Sequence, residues 1–136
     1  NCMKIRKATA QDETFIKKLH QQHKKHIGNF NLFWTWDKFI EGKTNYTFVM
    51  IDDCGFMRYG YSKKYKAYLL YEIAVDKDSS QKGVGALLFN HIPRPLMLKC
   101  NADNTIGNKF YIKMGMTKAG ITHTKKGEKQ NIYWIT

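Results

Sequence analysis

The stretch that decides the fold is Val75-Asp76-Lys77-Asp78-Ser79-Ser80-Gln81-Lys82-Gly83-Val84-Gly85-Ala86. Ahead of it, Leu69-Leu70-Tyr71-Glu72-Ile73-Ala74-Val75 is apolar and rich in strand-forming residues. Behind it, Val84, Leu87, Leu88 and Ile92 recur at helical spacing, until Pro93-Arg94-Pro95 stops the helix. Gly83 and Gly85 therefore fall where a strand hands over to a helix. The first turn of a helix has unpaired N–H groups and the positive end of the dipole. Glycines there, followed by the small Ala86, let an anionic group come up against the backbone and make a pyrophosphate cradle. An ordinary glycine-rich turn is the alternative. The dinucleotide fingerprint is excluded because position 88 is Leu, and the P-loop because no Gly-Lys-Ser/Thr follows.

Working outward, residues 3–8 read as a strand with Ile5 inward. Thr9 starts a helix as its N-cap, with Asp12 three positions on. That helix runs to about Ile27 on Phe15, Ile16, Leu19 and Ile27, and Gly28 ends it. A short second helix lies within residues 29–42. Residues 47–52, 55–61 and 66–76 form an antiparallel meander with turns at Asp53-Cys54-Gly55 and Ser62-Lys63-Lys64. After the helix at residues 83–92 come a strand at 96–100, a helix at 103–114, and strands at 116–124 and 130–135. The order is β-α-α-β-β-β-α-β-α-β-β, and the strands flanking the Gly-led helix should be parallel. The expected fold class is α+β: a mixed, mainly antiparallel sheet with helices on both faces. No repeat or linker interrupts the 136 residues, so a single domain is expected.

The later helix, in Asn101-Ala102-Asp103-Asn104-Thr105-Ile106-Gly107-Asn108-Lys109-Phe110-Tyr111-Ile112-Lys113-Met114-Gly115-Met116, has two expected faces. Asn104, Gly107, Asn108 and Tyr111 lie at i, i+3, i+4 and i+7. Ile106, Phe110 and Met114 form an apolar face. A glycine in mid-helix costs about 1 kcal/mol relative to alanine, which a closely approaching ligand or backbone would justify.

Together, the Ser80-Gln81-Lys82-Gly83-Val84-Gly85-Ala86 turn and the later N-x-x-G-x-x-F-Y-x-K-x-G-M run resemble the two signatures of the GNAT acetyltransferase superfamily. Those signatures are R/Q-x-x-G-x-G/A and N-x-x-A-x-x-F/L-Y-x-K-x-G-F. The element order resembles that fold as well, so the resemblance spans almost the whole chain. It implies transfer of an acetyl group from acetyl-CoA to an amine by direct attack in a ternary complex. It also implies that the main chain around Ile73, Ala74 and Val75 pairs with the pantetheine arm. N–H groups of Gln81, Lys82, Gly83, Val84, Gly85 and Ala86 would hold the pyrophosphate. Asn104 and Asn108 would face the cofactor, with Tyr111 beside the thioester sulfur as the acid. Three departures stand out: Ser80 occupies the position usually taken by Arg or Gln, Gly107 replaces Ala, and the helix after the cradle is short.

Glu72 is a lone carboxylate in an apolar strand and is costly to bury without a partner. Alternation puts Leu70, Glu72 and Ala74 on one face and Tyr71, Ile73 and Val75 on the other. An alkyl amine must lose a proton before it can attack, and a desolvated Glu72 is a candidate base. A structural or substrate-orienting carboxylate is the other reading. Cys100 ends the strand before the later helix, and reads either as a nucleophile or as a small buried thiol.

The net charge is +12, from 23 Lys+Arg against 11 Asp+Glu. It suits phosphate, whether on a cofactor, on nucleic acid or on an acidic partner. A nucleic-acid-binding basic domain, or an acyltransferase acting on nucleic acid, therefore stays open beside transfer to a small-molecule or protein amine. A family-like protein that binds coenzyme A without turnover is a third possibility. Tyr59, Tyr61 and Tyr65 could stack bases or pack the meander. Trp34, Trp36, His123 and Trp134 could wall an acceptor pocket or belong to the core. His20, His23 and His26 drift around their helix and read as a solvated face, so no metal is expected. No apolar run is long enough to cross a membrane, and Cys2, Cys54 and Cys100 make no disulfide framework. A cytoplasmic monomer or homodimer is the expectation.

Overall fold

The computed structural model describes residues 3–24 and 32–136. The predicted helix end at Ile27 and Gly28, along with His26 and Cys2, lies outside them. The elements are β1 (Ile5–Lys7), α1 (Glu13–Gln22), α2 (Leu32–Ile40), β2 (Tyr46–Ile51), β3 (Gly55–Ser62), β4 (Ala67–Val75), α3 (Val84–His91), β5 (Leu96–Asn101), α4 (Thr105–Lys113), β6 (Thr117–His123) and β7 (Lys129–Ile135). The first helix is shorter than predicted, since α1 begins at Glu13 after a 3-10 turn and stops at Gln22, but every other strand and helix sits within a residue or two of its predicted position. The approach to α1 is a 3-10 turn, Ala10–Asp12, closed by a hydrogen bond from the Thr9 N–H to Asp12 Oδ2 at 2.8 Å. Arg6 holds that same carboxylate at 2.7 Å and keeps it well below the usual carboxylate range.

The strands form one 7-stranded sheet in the order β1-β2-β3-β4-β5-β7-β6. Every neighbouring pair is antiparallel except β4 and β5, as the strand–helix–strand reading required. Alternation along β2 assigns the two faces. Phe48 and Met50 join Ile16, Leu19, Trp36, Phe39, Phe56 and Ala74 under α1 and α2. Val49 and Ile51 join Met57, Leu70, Val84, Leu88, Phe89 and Leu98 under α3. Ile16, Phe48 and Phe56 are fully buried, and each such side chain contributes about 1.5–3 kcal/mol. That contact clamps α1 onto the sheet over β3 and β4.

Two irregularities in β4 shape everything that follows. Arg58 pairs with Glu72 and Tyr59 pairs with Leu70, so Tyr71 is an extra residue with no partner on β3. This bulge corrects the predicted alternation. Leu70 packs on the α3 side with Ile73 and Val75, while Ala74 packs under α1 and Glu72 bonds to an α1 side chain. Beyond the bulge, β4 no longer pairs with β5: their ladder joins only Tyr68 to Leu96 and Leu69 to Met97.

Two expected core positions also differ. Leu87 on α3 is exposed, and Ile106 on α4 is 82% exposed. No residue of α4 is buried, because this helix forms a wall rather than a core layer. Among the described residues, no helix is long and apolar enough to cross a membrane.

Candidate active site

Where β4 and β5 part, a cleft of about 660 Å³ opens between them, floored by the sheet and walled by the start of α3 and by α4. That volume suits a small-molecule or cofactor site. Its lining brings together Glu72, Ile73, Val75, Ser80, Gln81, Gly83, Gly85, Ala86, Asn104 and Tyr111, all singled out from sequence. The side chains of Ala74 and Val84 instead enter the two cores, and Lys82 and Asn108 do not line the cleft. Ile106, Phe110 and Met114 line it beside Asn104, Gly107 and Tyr111, so the two predicted faces of α4 act as one wall.

The turn into α3 leaves the start of the helix open. Asp76 Oδ2 accepts from the Asp78 N–H at 3.1 Å, and Ser80 Oγ donates to the Lys77 carbonyl at 3.0 Å. These bonds hold the loop so that the helix starts at Gly83. Gly83 has φ +78, in the left-handed region where a side chain is strained, and nothing lies within 4 Å of where its Cβ would stand. No side chain caps α3. Its first-turn N–H groups therefore face the cleft without an intrahelical acceptor. Gly85 serves a second purpose, since a Cβ there would meet the Phe110 ring at 3.3 Å. Small size at position 85 thus lets α3 and α4 approach. Lys77, Lys99 and Lys113 surround the cleft, and Glu72 is the one carboxylate among its lining residues. The field at its mouth is positive.

Gly107 is explained by its own helix cap. Asn104 Oδ1 accepts from the Gly107 N–H at 3.0 Å, and a Cβ on Gly107 would collide with Asn104 Nδ2. Asn108 holds the scaffold together. Its Nδ2 donates to the carbonyls of Asn101 at 3.0 Å and Asn104 at 2.7 Å. Its Oδ1 accepts from Asn131 Nδ2 at 2.9 Å and from the Tyr133 hydroxyl at 2.7 Å.

Tyr111 sits deep in the cleft with its ring against Phe89, Phe110 and Tyr133. Burial, and secondarily the Cys100 thiol, push its phenol pKa up, so it stays protonated at neutral pH. Burial, and then Asp103, push Cys100 up to about 11.

Glu72 is 3% exposed. Its Oε2 lies 2.6 Å from His20 Nδ1, while Oε1 is buried without a hydrogen-bond partner among the described residues. Arg58, its ladder partner on β3, stands over the rings of Tyr46 and Tyr71 at 4.9 and 4.5 Å. His20 corrects the solvated-face reading, since it is 7% exposed on the same stripe as Ile16 and Leu19. The available signal was its i+4 spacing from Ile16. His23 lines the cleft. Of the four candidate pocket walls, Trp36 belongs to the core, and Trp34, His123 and Trp134 lie outside the cleft lining. Tyr59 and Tyr61 pack on Tyr68.

No protein-family model and no curated protein matches the sequence. Solved structures do. A protein from Desulfovibrio desulfuricans assigned to the GNAT acetyltransferase family superposes with TM-score 0.77 at 20% identity, over 97% of each chain. NAA60 from Arabidopsis thaliana in complex with acetyl-CoA gives TM-score 0.75 at 11% identity, again over 97% of each chain. The acetyl transferase from Salmonella typhimurium that modifies the N-terminal serine of a 50S ribosomal subunit protein gives 0.72 at 15% identity, over 96% of this chain and 92% of that one. Near-complete coverage at such low identity is a likeness of architecture: the chain has the fold of the GNAT acetyltransferases.

Proposed function

We propose that this protein is an acetyl-CoA-dependent N-acetyltransferase whose acceptor is a primary amine, attacking directly in a ternary complex. The observation that carries the reading is the junction of the parted β4–β5 edge with the uncapped start of α3. It is one continuous groove, with unpaired strand backbone at one end and free helix N–H groups at the other.

The residues present fit the cofactor. The N–H groups of residues 81–86, with Lys77 on the same turn, suit its phosphates. The main chain around Ile73, Ala74 and Val75 suits the amide-rich pantetheine arm, in the manner of an added strand. Ile106, Phe110 and Met114 offer it apolar contact. Bound there, acetyl-CoA would supply an acetyl group already activated as a thioester. The chain's own groups manage protons. An alkyl amine with pKa near 10.4 is free base in only about one molecule in a few thousand at pH 7. Glu72 is the group placed to remove the excess proton. Tyr111 holds a proton at Oη, ready for a sulfur leaving group. Cys100, held protonated by its raised pKa, is poorly suited to carry an acyl group, which favours direct attack over an acyl-cysteine route.

The solved structures support an amine on a protein as one acceptor class, since one of them modifies an N-terminal serine; a small-molecule amine is the other. Lys77, Lys99 and Lys113 put part of the +12 charge at the cleft, which favours an anionic cofactor. Calorimetric titration with acetyl-CoA at two salt concentrations tests the reading. Micromolar binding that survives moderate salt is expected. Binding that vanishes with salt would reduce the groove to nonspecific charge and return nucleic acid to the front.

A further inference from the structure

We propose that His20 is the positioning residue for Glu72, fixing which carboxylate oxygen meets the acceptor amine. The role rests on the acetyltransferase reading above. His20 comes from α1 and Glu72 from β4, 52 positions apart in sequence, and their side chains are 9% and 0% exposed. The two oxygens of Glu72 are not equivalent. Oε2 is bound by His20 Nδ1 at 2.6 Å, whereas Oε1 is equally buried and has no hydrogen-bond partner among the described residues. A buried carboxylate oxygen without a donor is costly, and Glu72 lines the cleft. A donor arriving through the cleft would satisfy Oε1, and a primary ammonium is such a donor.

A carboxylate can only accept, so with Glu72 ionised the His20 Nδ1 carries the proton and donates it to Oε2. Oε1 is then the oxygen open to protonation. One N–H bond of the ammonium breaks, one O–H bond forms at Oε1, and the electron pair stays on nitrogen. The other groups facing this carboxylate have different tasks. Arg58 on β3 supplies positive charge from across the ladder, with Tyr46 on β2 and Tyr71 on β4 flanking its guanidinium. His20 supplies direction. The α1 clamp, Ile16 and Leu19 in the core beside His20, holds the imidazole in place.

The test compares wild type, His20→Leu, His20→Asn and Glu72→Gln, with acetyl-CoA as donor and two acceptors: a peptide with a free N-terminal serine, and spermidine. Loss of an oriented base should lower kcat about 100-fold in His20→Leu, leaving KM for acetyl-CoA within about twofold. Asparagine puts an amide N–H near the Nδ1 position, and His20→Asn should recover most of the rate. On a Glu72→Gln background, His20→Leu should cost nothing further, because His20 acts through Glu72. If His20→Leu runs at wild-type rate, or loses as much without Glu72 as with it, the role is refuted and the acetyltransferase reading stands. A wild type that neither binds acetyl-CoA nor transfers to either acceptor overturns both. Nitrogen-15 spectra of labelled histidine need no acceptor and decide the case in which acetyl-CoA binds but neither amine is used. A protonated His20 Nδ1 whose signal moves in Glu72→Gln supports the pairing, and a signal indifferent to that change overturns it.

Discussion

Replacing Asn108 with alanine should cost stability rather than cofactor affinity, and the structure gives the size. Four good hydrogen bonds disappear, but they are not equal. The carbonyls of Asn101 and Asn104 each keep a backbone donor, from the N–H groups of Asn104 and Asn108 at 3.0 Å, so losing the side-chain amide leaves neither bare. The Tyr133 hydroxyl and Asn131 Nδ2 have no backbone reserve, only the contact of the Asn131 amide with the Tyr133 oxygen. Both residues are buried, at 2% and 9% exposure, and each loses its acceptor. Stranding two buried donors costs about 1–3 kcal/mol apiece. Alanine returns roughly half a kcal/mol of helix propensity. The net expectation is about 3 kcal/mol, or about 10 °C in Tm for a chain of this size. Urea and thermal unfolding measure it. Tyr133→Phe should cost less, and the double mutant should fall short of the sum by 1 kcal/mol or so. A loss below about 1 kcal/mol, accompanied by a tenfold fall in acetyl-CoA affinity, would refute this reasoning and restore Asn108 to the cofactor.

Tyr111→Phe should lower kcat by about 10²–10⁴ if Tyr111 is the acid, with the acetyl-CoA dissociation constant nearly unchanged; unaltered turnover removes the role. Cys100, pushed from 9.0 up to about 11, has roughly a hundredfold less thiolate at pH 8. Its greater intrinsic nucleophilicity offsets about tenfold of that, so exchange with an aromatic disulfide should run at least about tenfold slower than for a free cysteine. That gap should close as pH rises through 11, and a reaction at the free-cysteine rate at pH 8 would show the thiol is not desolvated. Gly83→Ala should cost about 1–2 kcal/mol from its left-handed backbone and weaken acetyl-CoA binding, because the new methyl stands in the cradle. Retained affinity in calorimetry would move the pyrophosphate away from this helix start.

The element map was legible because β2, β3 and β4 are short runs rich in β-branched or aromatic residues, closed by turn residues. Gly55, Gly83 and the Pro93-Arg94-Pro95 break punctuate it without ambiguity. That Gly83, Gly85 and Tyr111 would face one cleft was legible for a different reason: each sits on a local strand–turn–helix unit. What stayed hidden depended on distant parts of the chain. Period-two alternation through Leu70, Glu72 and Ala74 looks unbroken, and nothing local marks Tyr71 as an extra residue, since the mismatch exists only against β3. His20 resembled its neighbours His23 and His26 until Ile16 and Leu19 fixed which side of α1 is buried. Asn108 shares a helical face with Asn104 and Tyr111, yet β7 captures its side chain. Ile106 was expected in the core because it is apolar, but the first turn of α4 lines the cleft, and the isoleucine stays exposed there.

The bulge and the cleft are best understood as one device. An extra residue in a strand bends it and increases its local twist. The β4–β5 ladder ends at Leu69 and Met97, two positions before the unpaired Tyr71. Beyond that point β4 follows β3, to which it stays bonded through Val75, and so swings away from β5, which is tied to β7 over its whole length. The parting creates the groove. The same extra residue turns Glu72 from the α3 side to the α1 side of the sheet, where His20 meets it, and leaves Ile73 and Val75 lining the opening. Removing one residue at this place would therefore do three things together: close the ladder, aim the carboxylate into the wrong core, and separate Glu72 from His20. A strand chosen only for stability would have no bulge here. Its retention beside a buried carboxylate and an uncapped helix start argues that the irregularity exists to make the site.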